Sequence, residues 1–367
     1  MKLRYKIANG ILIVLALALS SLAVVLSYES PCEPAPALAG DAEAMQAITY
    51  RCYGSADVLQ LEDVAKPTPA DNEVLVRIRA AAVNPLDWHF MRGSPYPMRL
   101  GTGIGAPSDT RLGVDFAGTV EAVGSDVTRF RPGDEVFGGG AGAFGEYVVV
   151  SEDRALTLKP ANVTFEQAAA VPVAALTALQ ALRDKGQLQP GQQVLINGAS
   201  GGVGTFAVQI AKSMGAEVTG VCSTRNVDMV RALGADHVFD YKKENYTESG
   251  NQYDLILDMV GNHSLSANRQ VMAPEGIMVL VGGAKGDWFA PFAGPVKAML
   301  YSPFVDQTFV MLLARLNQDD LQALGDLMLA GKMTPVIDRS YRLSEVADAI
   351  RYSEEGHARG KIVIDLE

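Results

Sequence analysis

The chain has few residues of the types that build metal sites and disulfide frameworks. Its 367 residues include three cysteines and four histidines. Cys32, Cys52 and Cys222 are scattered and form no C-x-x-C pair, so their spacing supports neither a disulfide framework nor a thiolate zinc site. The histidines, at positions 89, 237, 263 and 357, are equally dispersed. Because a zinc site needs three or four converging ligands, we expect no zinc.

Positive charge is also scarce. Lys and Arg total 31 against 42 Asp and Glu, which leaves a formal net charge of -11. A nucleic-acid-binding protein presents a basic surface, so this balance argues against a nucleic-acid partner. Hydrophobic residues make up 48% of the chain, which at this length is sufficient for two globular domains.

Charge of either sign is missing from residues 7–28, which follow Lys2, Arg4 and Lys6. This run is long enough to cross a bilayer as a helix. The best small-x-small cleavage pattern, at 37–39, lies too far beyond the apolar run for a signal peptide, which favours an uncleaved anchor. We therefore expect residues 1–44 to form a single-pass transmembrane anchor and a Pro/Ala-rich linker, with the folded part beginning near Met45.

A glycine-rich turn separates two kinds of apolar pattern within residues 191–212. Residues 193–196 are a short apolar run typical of a buried strand, and residues 206–211 show the apolar face of a helix. Gly201, Gly202 and Gly204 lie between them, where small residues let another backbone or a ligand come close. The pattern predicts a strand, a tight turn and a helix whose first amides could bind a pyrophosphate.

The glycine pattern alone is a weak signal, because Ala199 replaces the first glycine of G-x-G-x-x-G. Residues 216–221 read as a second strand at the spacing of a strand-helix-strand unit. The stretch resembles the quinone oxidoreductase (zeta-crystallin-like) branch of the medium-chain dehydrogenase/reductase superfamily. The matching positions are Gly191-Gln192, Leu195, residues 199–202, Gly204, Gln209 and Lys212, with further landmarks at 84–87, 113–118 and 142–147.

The resemblance covers residues 45–367 and implies an α/β fold of two domains. Residues 45–163 and 317–367 are expected to form a GroES-like, partly open β-barrel catalytic domain. Residues 164–316 are expected to form a Rossmann domain with a doubly wound parallel sheet. The residue pattern itself predicts strands at 74–78, 116–123, 237–239, 255–258, 277–281 and 361–365, and helices within 164–185 and from Ser344.

The zinc ligands of the superfamily's alcohol dehydrogenases are replaced here, so the resemblance also implies no zinc. Asn84 stands where the zinc branch has its first cysteine, and Val114-Asp115 where it has His-Glu. A metal-free site suits hydride transfer to a quinone or an activated C=C bond, where a hydrogen-bond donor can hold the carbonyl oxygen. Asn84 is the expected donor; the alternative is a turn residue before Pro85.

His89 is a candidate proton relay, although it departs from its own branch, which tends to carry tyrosine there. A surface histidine without a catalytic role is the alternative. Tyr96 is a second candidate donor nearby.

The resemblance and the motif together predict the cofactor contacts. The residues after the second strand include no carboxylate that would bind a ribose 2′-hydroxyl, so NADP(H) is expected, with NAD(H) less favoured. Two of the contacts named below have alternatives: Arg225 could be a solvated surface residue, and the Thr177 hydroxyl could donate to the backbone of its own helix. The predicted contacts are Ser200, Gly201, Gly202, Val203 and Gly204 for the pyrophosphate; Ser223, Thr224, Arg225 and Tyr241 for the 2′-phosphate; and Thr177, Val260, Gly282 and Gly283 for the nicotinamide.

These features predict a membrane-anchored, zinc-independent, NADPH-dependent oxidoreductase that reduces a quinone, enone or other activated carbonyl compound. The alternatives are a zinc-free NADP-dependent alcohol/aldehyde oxidoreductase and a non-catalytic dinucleotide-binding protein. The side of the membrane stays open, because the positive-inside rule places the folded part outside whereas NADPH is cytoplasmic. A homodimer could form if the apolar run 309–313 pairs with its copy at the sheet edge; an unpaired edge strand is the alternative.

Overall fold

The computed structural model describes residues 2–38, 40, 42–283, 286–288, 290, 294, 296–298 and 305–366, with side chains in the first helix from Ile13 onward. The strands are β1 Ala44–Thr49, β2 Gln60–Ala65, β3 Glu73–Val83, β4 Asp115–Val123, β5 Glu135–Gly139, β6 Tyr147–Ser151, β7 Leu156–Leu158, β8 Gln193–Asn197, β9 Glu217–Cys222, β10 His237–Asp240, β11 Tyr253–Asp258, β12 Met272–Leu280, β13 Thr308–Met311, β14 Ile337–Arg342 and β15 Lys361–Asp365. The helices are α1 Lys2–Ser27, α2 Pro85–Arg92, α3 Arg99–Thr102, α4 Phe165–Ala169, α5 Pro172–Gln180, α6 Gly202–Ser213, α7 Val227–Ala232, α8 Leu265–Arg269, α9 Gln318–Leu329 and α10 Val346–Glu354.

The first large sheet is mostly antiparallel and includes the end of the chain. It has seven strands, in the order β14-β15-β3-β4-β5-β7, with β6 paired to β3. The last strand, β15, lies antiparallel to β3, with Ile362 opposite Val83. This register places Lys361 beside the residues at which β3 ends, although the two segments are far apart in sequence.

The second sheet is parallel and doubly wound, as the resemblance implied. Its six strands follow the order β10-β9-β8-β11-β12-β13. Val194, Leu195 and Ile196 of β8 are completely buried, as expected for a central strand covered on both faces. The strand order reverses direction between β8 and β11, and ligands of such sheets bind in the crevice at this point.

The two sheets share a hydrophobic core. One continuous cluster joins Ala80 and Phe137 of the first sheet to Ile196 of the second and to Leu176 of α5. Helix α5 therefore packs between the two sheets, and its first turn can carry side chains into the space between them. The domain boundaries at 163/164 and 316/317 stay predictions.

The segment before Met45 differs from the prediction. Residues Lys2–Ser27 are helical, but among the residues that the structure describes no helix is long and apolar enough to cross a membrane, so the predicted transmembrane span is not supported. The end of α1 instead packs on the folded part, since Leu26 is buried. Ser30 continues this contact by donating its amide to the carbonyl of Gly105 at 2.8 Å.

The structure contains one disulfide bond, which the spacing of the cysteines did not indicate. Cys32 is bonded to Cys52 across a sequence separation of 20, with a Cα–Cα distance of 4.7 Å. A single disulfide has no repeated cysteine spacing by which it could be recognised in the sequence. The fold alone brings these two cysteines together. The bond attaches the Pro/Ala-rich segment to the catalytic part of the chain.

Candidate active site

The predicted glycine turn lies at the start of a regular helix. β8 ends at Asn197, Gly201 caps α6, and α6 runs for 12 residues. A Cβ on Gly204 would lie 2.1 Å from the carbonyl oxygen of Gly198, so only glycine allows the helix this close to the turn. The first amides of α6 have no partners within the helix, which suits them to bind an anion.

Ser200 and Val203 complete this turn in different ways. The Ser200 hydroxyl accepts a hydrogen bond from Nδ2 of Asn226 at 2.9 Å, and its carbonyl accepts one from the amide of Gly360 at 3.0 Å. Val203 packs against the shared core. The turn is therefore supported both by the second sheet and by the residue that precedes β15.

The strand ends on the other side of the crevice bring Val260, Gly282 and Gly283 to the same edge. Asp258, which ends β11, is 1% exposed, and its Oδ1 accepts hydrogen bonds from Asn197 and from the amides of Val260 and Gly261. A Cβ on Gly282 would lie 2.1 Å from the carbonyl oxygen of Met259. The two strand ends therefore pack closely on each other at the edge of the sheet where ligands of doubly wound folds bind.

The predicted 2′-phosphate residues form a loop after β9, where Thr224–Asn226 make one 3-10 turn. The Thr224 hydroxyl donates to Oδ2 of Asp240 at 2.7 Å, and Arg225 is exposed with Nη2 donating to the carbonyl of His357 at 2.7 Å. Tyr241 is 55% exposed beside them. The guanidinium and the phenol thus lie at the surface, and Ser223 is buried beneath them.

Asp240, the last residue of β10, is a carboxylate beside this loop that the sequence reasoning did not consider. Its Oδ2 lies 3.2 Å from the ammonium of Lys243 and also accepts from Thr224. The negative charge therefore has a cationic partner, which reduces its repulsion of a phosphate.

Asn84 follows the last residue of β3 and caps α2, and its side chain belongs to a buried network. Nδ2 donates to Oδ2 of Asp115 at 2.9 Å, and Oδ1 accepts from the ammonium of Lys361 at 2.6 Å. A second Nδ2 contact, with the carbonyl of Ala82, measures 3.4 Å and is at the long limit of a hydrogen bond. Asn84 is 2% exposed, so its role as a donor to substrate depends on this second hydrogen and stays a prediction.

The sequence reasoning missed three charged members of this network. Asp87, Asp115 and Lys361 are all buried, with exposures of 0%, 0% and 3%. Burial raises the pKa of Asp87 to about 7, raises the pKa of Asp115 and lowers the pKa of Lys361. The Oδ1 of Asp87 is buried without a hydrogen-bond partner among the described residues, as a neutral carboxyl would tolerate. The sequence feature that could have identified Lys361 is its position as a lysine at the start of an apolar strand.

Thr177 lies on α5, and its hydroxyl donates to the carbonyl of Val173 at 2.6 Å. The side chain thus uses its proton within its own helix, which is the alternative that the sequence left open. The amide of Val173 in turn donates to Oδ1 of Asp115 at 3.0 Å. Thr177 is therefore connected to the Asn84 network through the first turn of α5.

His89 occupies the last part of α2, which begins with Pro85 and ends at Gly93 in the left-handed conformation, at φ 55. Its Nδ1 lies 2.6 Å from the carbonyl oxygen of Ser94. A carbonyl only accepts, so Nδ1 carries the proton and Nε2 is an acceptor in the neutral ring. Burial lowers the pKa of His89, although the bond to Ser94 opposes the shift. At neutral pH His89 is therefore better placed to take up a proton than to release one.

Protonation of His89 should destabilise the fold. Because its pKa is lower in the folded than in the unfolded chain, the folded state binds fewer protons, and stability should fall as the pH drops below about 6.5. We expect His89→Gln to remove this pH-dependent part of the stability. The measurement is the difference in the urea unfolding free energy between wild type and variant from pH 5 to 8. His237→Gln, at a side chain that is 64% exposed, is the control. A difference that does not depend on pH would contradict the prediction.

Tyr96 connects the catalytic part of the chain to the loop that follows β12. Its amide donates to the carbonyl of Asp287 at 2.7 Å, and its ring meets Trp288 edge-on, with centroids 5.0 Å apart. The hydroxyl of Ser94 donates to Oδ1 of Asp287 at 2.7 Å. Tyr96 therefore lies where the two parts of the chain meet across the cleft, and its role as a proton donor stays a prediction.

Comparison with known proteins agrees with this geometry. A family model described as "Zinc-binding dehydrogenase" matches residues 233–364, and "Alcohol dehydrogenase GroES-like domain" matches residues 70–160. Over 337 residues the chain is 35% identical to the chloroplast envelope quinone oxidoreductase homolog of Arabidopsis thaliana, which covers 88% of this chain and 98% of the relative. The chain belongs to the medium-chain dehydrogenase/reductase superfamily, in its quinone oxidoreductase-like branch. It is therefore an oxidoreductase.

Two further matches agree with this assignment. The oxidoreductase is 32% identical over 335 residues to the NADPH-dependent alkenal/one oxidoreductase of Arabidopsis thaliana chloroplasts, covering 87% of this chain and 79% of the relative. The solved quinone oxidoreductase of Coxiella burnetii superposes with a TM-score of 0.79 at 30% identity, covering 89% of this chain and all of that one.

The side chains at the place of the superfamily's zinc site do not fit the metal. Asn84 and Asp115 are the donors there, and both are engaged by the ammonium of Lys361, whose charge would repel a dication. Among the described residues no group of three or more His, Cys, Asp and Glu side chains is arranged to hold a metal ion.

Proposed function

We propose that this oxidoreductase uses NADPH to reduce a quinone, an enone or another activated carbonyl compound without zinc. The observation that carries the proposal is the start of α6. There Gly201 and Gly202 keep side chains away from the first backbone amides, and Gly204 lets the helix pack against the turn, close to Lys361 of the buried Asn84 network. The relatives named for quinone and alkenal/one reduction support the same substrate class.

The residues present fit the dinucleotide. The open backbone at Gly201 and Gly202 would hold the pyrophosphate, Arg225 and Tyr241 the 2′-phosphate, and the strand ends at Val260 and Gly282 the nicotinamide. When bound, NADPH supplies the hydride. The chain then has to orient the substrate carbonyl and stabilise the negative charge that develops on its oxygen.

Two side chains, Asn84 and His89, would act on this oxygen. The second amide hydrogen of Asn84 can donate to the oxygen, and the neutral ring of His89 can receive a proton from solvent at Nε2 and pass it on. Because burial lowers the pKa of His89, the protonated ring is depleted as the pH rises above about 6.5, so proton delivery through this ring should already weaken towards neutral pH.

A substrate panel tests the proposed function. NADPH oxidation would be measured with quinones, enones, aldehydes and, in reverse, alcohols, with and without a chelator. We expect the highest kcat/KM with a quinone or enone and no effect of the chelator. A higher value with aldehydes and alcohols would support the alcohol/aldehyde alternative, and NADPH binding without turnover of any compound would support the non-catalytic one.

Arg225→Ala should weaken the preference for NADPH over NADH. An exposed guanidinium can form charge-assisted bonds to a 2′-phosphate, worth about 1.5 to 3 kcal/mol each, or roughly a tenfold to hundredfold preference. The measurement is kcat/KM for both cofactors in wild type, Arg225→Ala and the control Arg231→Ala, whose side chain on α7 is 59% exposed. A wild type that prefers NADH, or an unchanged ratio in Arg225→Ala, would show that this loop does not bind the phosphate.

Localisation is a separate proposal. The described part of α1 exposes apolar side chains in several directions, including Leu17 at 63%, Leu19 at 66% and Val24 at 70%. Exposed apolar surface of this extent is typical of a site that a membrane or a partner protein covers. We propose that it associates with a membrane, on a side that stays open. Recovery of the full-length chain in the soluble fraction without detergent would contradict this.

Self-association is also a proposal. β13 lies at the end of the six-stranded order, which makes it an edge strand in the described sheet. Met311 is 51% exposed and Leu313 84%, so the edge carries apolar surface. We propose that this edge pairs with a second copy in a homodimer, which light scattering on wild type and Met311→Lys would test. A monomeric wild type would exclude it.

A further inference from the structure

We propose that Lys361 is a positioning residue that fixes which atom of Asn84 can face a substrate oxygen. Its ammonium donates to Oδ1 of Asn84 at 2.6 Å and to the carbonyl of Val83 at 3.0 Å. The same ammonium lies 3.6 Å from Oδ2 of Asp115. Three acceptors thus hold one buried cation at the junction of β3, β4 and β15.

The orientation of the Asn84 amide follows from the charges around it. Oδ1 accepts from an ammonium, and Nδ2 donates to a carboxylate at 2.9 Å. Rotating the amide by half a turn would place the NH2 group against the ammonium of Lys361 and the carbonyl against the carboxylate of Asp115. Both contacts would be repulsive in a buried site, so only one orientation is compatible with the network.

This orientation determines whether Asn84 presents a hydrogen-bond donor or an acceptor to the substrate oxygen. One Nδ2 hydrogen is used by Asp115, and the other has, among the residues that the structure describes, only the long contact to Ala82 at 3.4 Å. The group that remains is therefore a donor, which stabilises negative charge on a carbonyl oxygen. The opposite orientation would present an acceptor and repel that charge.

Lys361 also lies between this network and the dinucleotide turn. The preceding residue, Gly360, donates its amide to the carbonyl of Ser200 at 3.0 Å. A Cβ built on Gly202 would lie 3.3 Å from Cδ of Lys361, so the lysine stem runs under the first turn of α6. One side chain therefore contacts both the predicted pyrophosphate turn and the amide that would bind the substrate oxygen.

The double variant Lys361→Met/Asp115→Asn tests the inference, because it removes both charges and avoids leaving one buried carboxylate unpaired. The amide oxygen introduced at position 115 can still accept from Asn84, while its NH2 group replaces the oxygen that accepted from the amide of Val173. Neither change restores the donor that Oδ1 of Asn84 loses with Lys361. We expect a folded protein whose kcat is about 10-fold to 100-fold lower, since misplacing one catalytic group has effects of this size. The dissociation constant for NADPH, measured by fluorescence, should change by less than about threefold, because the α6 amides are intact.

Two comparisons separate positioning from a structural role. Lys159→Met is the matched control, because Lys159 is also a buried lysine, 5% exposed and paired with Glu135, but lies outside the network. In an Asn84→Ala background, the double variant should lower kcat by no more than about twofold further, because Lys361 acts through Asn84. A wild-type kcat in the double variant, or the full loss in the Asn84→Ala background, would overturn the inference.

The inference uses the proposed function only for the identity of the substrate oxygen, and a readout without turnover keeps the two distinguishable. In protein labelled with 15N at asparagine, the side-chain NH2 signal of Asn84, assigned with Asn84→Ala, reports the amide directly. We expect slow exchange with water in the wild type and a shifted, less protected signal in the double variant. An unchanged signal would overturn the inference even if the substrate panel succeeds, and a changed one would support it even if the panel fails.

Discussion

Gly204→Ala is expected to raise the dissociation constant for NADPH by about 100-fold and to destabilise the fold. The added Cβ would lie 2.1 Å from the carbonyl oxygen of Gly198 and 2.8 Å from two backbone atoms of Ala199. Backbone on both sides leaves no flexible side chain to move, so α6 has to shift away from β8. Overpacking of this kind costs about 1 to 3 kcal/mol, and displaced α6 amides no longer converge on an anion.

Two glycines provide the controls for this experiment. Gly201→Ala places its Cβ no closer than 3.5 Å to the protein, so stability should be unchanged; a loss of NADPH binding alone would show that the pyrophosphate contacts this residue. Gly101→Ala, which meets nothing within 4 Å, should alter neither quantity. Stability would be measured by urea unfolding and binding by fluorescence titration. Wild-type affinity in Gly204→Ala would contradict the predicted contact.

Arg99→Met is expected to destabilise the protein by about 3 kcal/mol or more and to lower kcat. Arg99 is completely buried, and its guanidinium donates to the carbonyls of Gly93, Leu26, Tyr28 and Arg92 and to the carboxylate of Glu29. Each buried carbonyl left without a donor costs about 1 to 3 kcal/mol. The guanidinium also lies over the ring of Tyr96, 4.5 Å from its centroid, so its loss should loosen the residues at the cleft.

The same contacts change the expectation for a shortened chain. The sequence predicted that the folded part starts near Met45, which implies that a protein beginning there would be folded and active without residues 1–44. Without Leu26, Tyr28 and Glu29, the buried guanidinium loses three of its acceptors. We now expect the shortened protein to be less stable and less active than the full chain.

The two changes remove some of the same interactions, so their effects on the free energy of unfolding should be less than additive. Arg131→Met is the matched control, since its side chain is 87% exposed. Equal stability of the full and shortened proteins, or simple additivity with Arg99→Met, would show that the N-terminal segment does not depend on Arg99.

Local sequence was sufficient to predict the dinucleotide fold. The strands at 193–196, 237–239 and 255–258 lie within β8, β10 and β11, and the helix after the glycine turn begins at Gly202. These features depend on residues close together in the chain: apolar runs, the 3.6-residue period of a helix and glycines at a turn. The strand order then follows from the few topologies that such units adopt.

The chemistry around Asn84 was only partly predictable. Asn84 could be singled out by its motif, but the direction of its amide depends on Lys361, which is 277 residues away. By contrast, the bond of Thr177 to the carbonyl of Val173 is local, and a bond to its own backbone was an alternative that the sequence already offered.

The sequence by itself determined the superfamily, the two kinds of sheet and the turn that suits a pyrophosphate, because each depends on local pattern. Only the tertiary structure decided that Cys32 is bonded to Cys52, that Arg99 holds the segment before Met45, and that Lys361 is the cation beside Asn84. In all three cases the partner is selected by proximity in the folded chain, which no local pattern records. For Arg99 and Lys361 the pairing is also required by burial, which makes an unpaired charge costly.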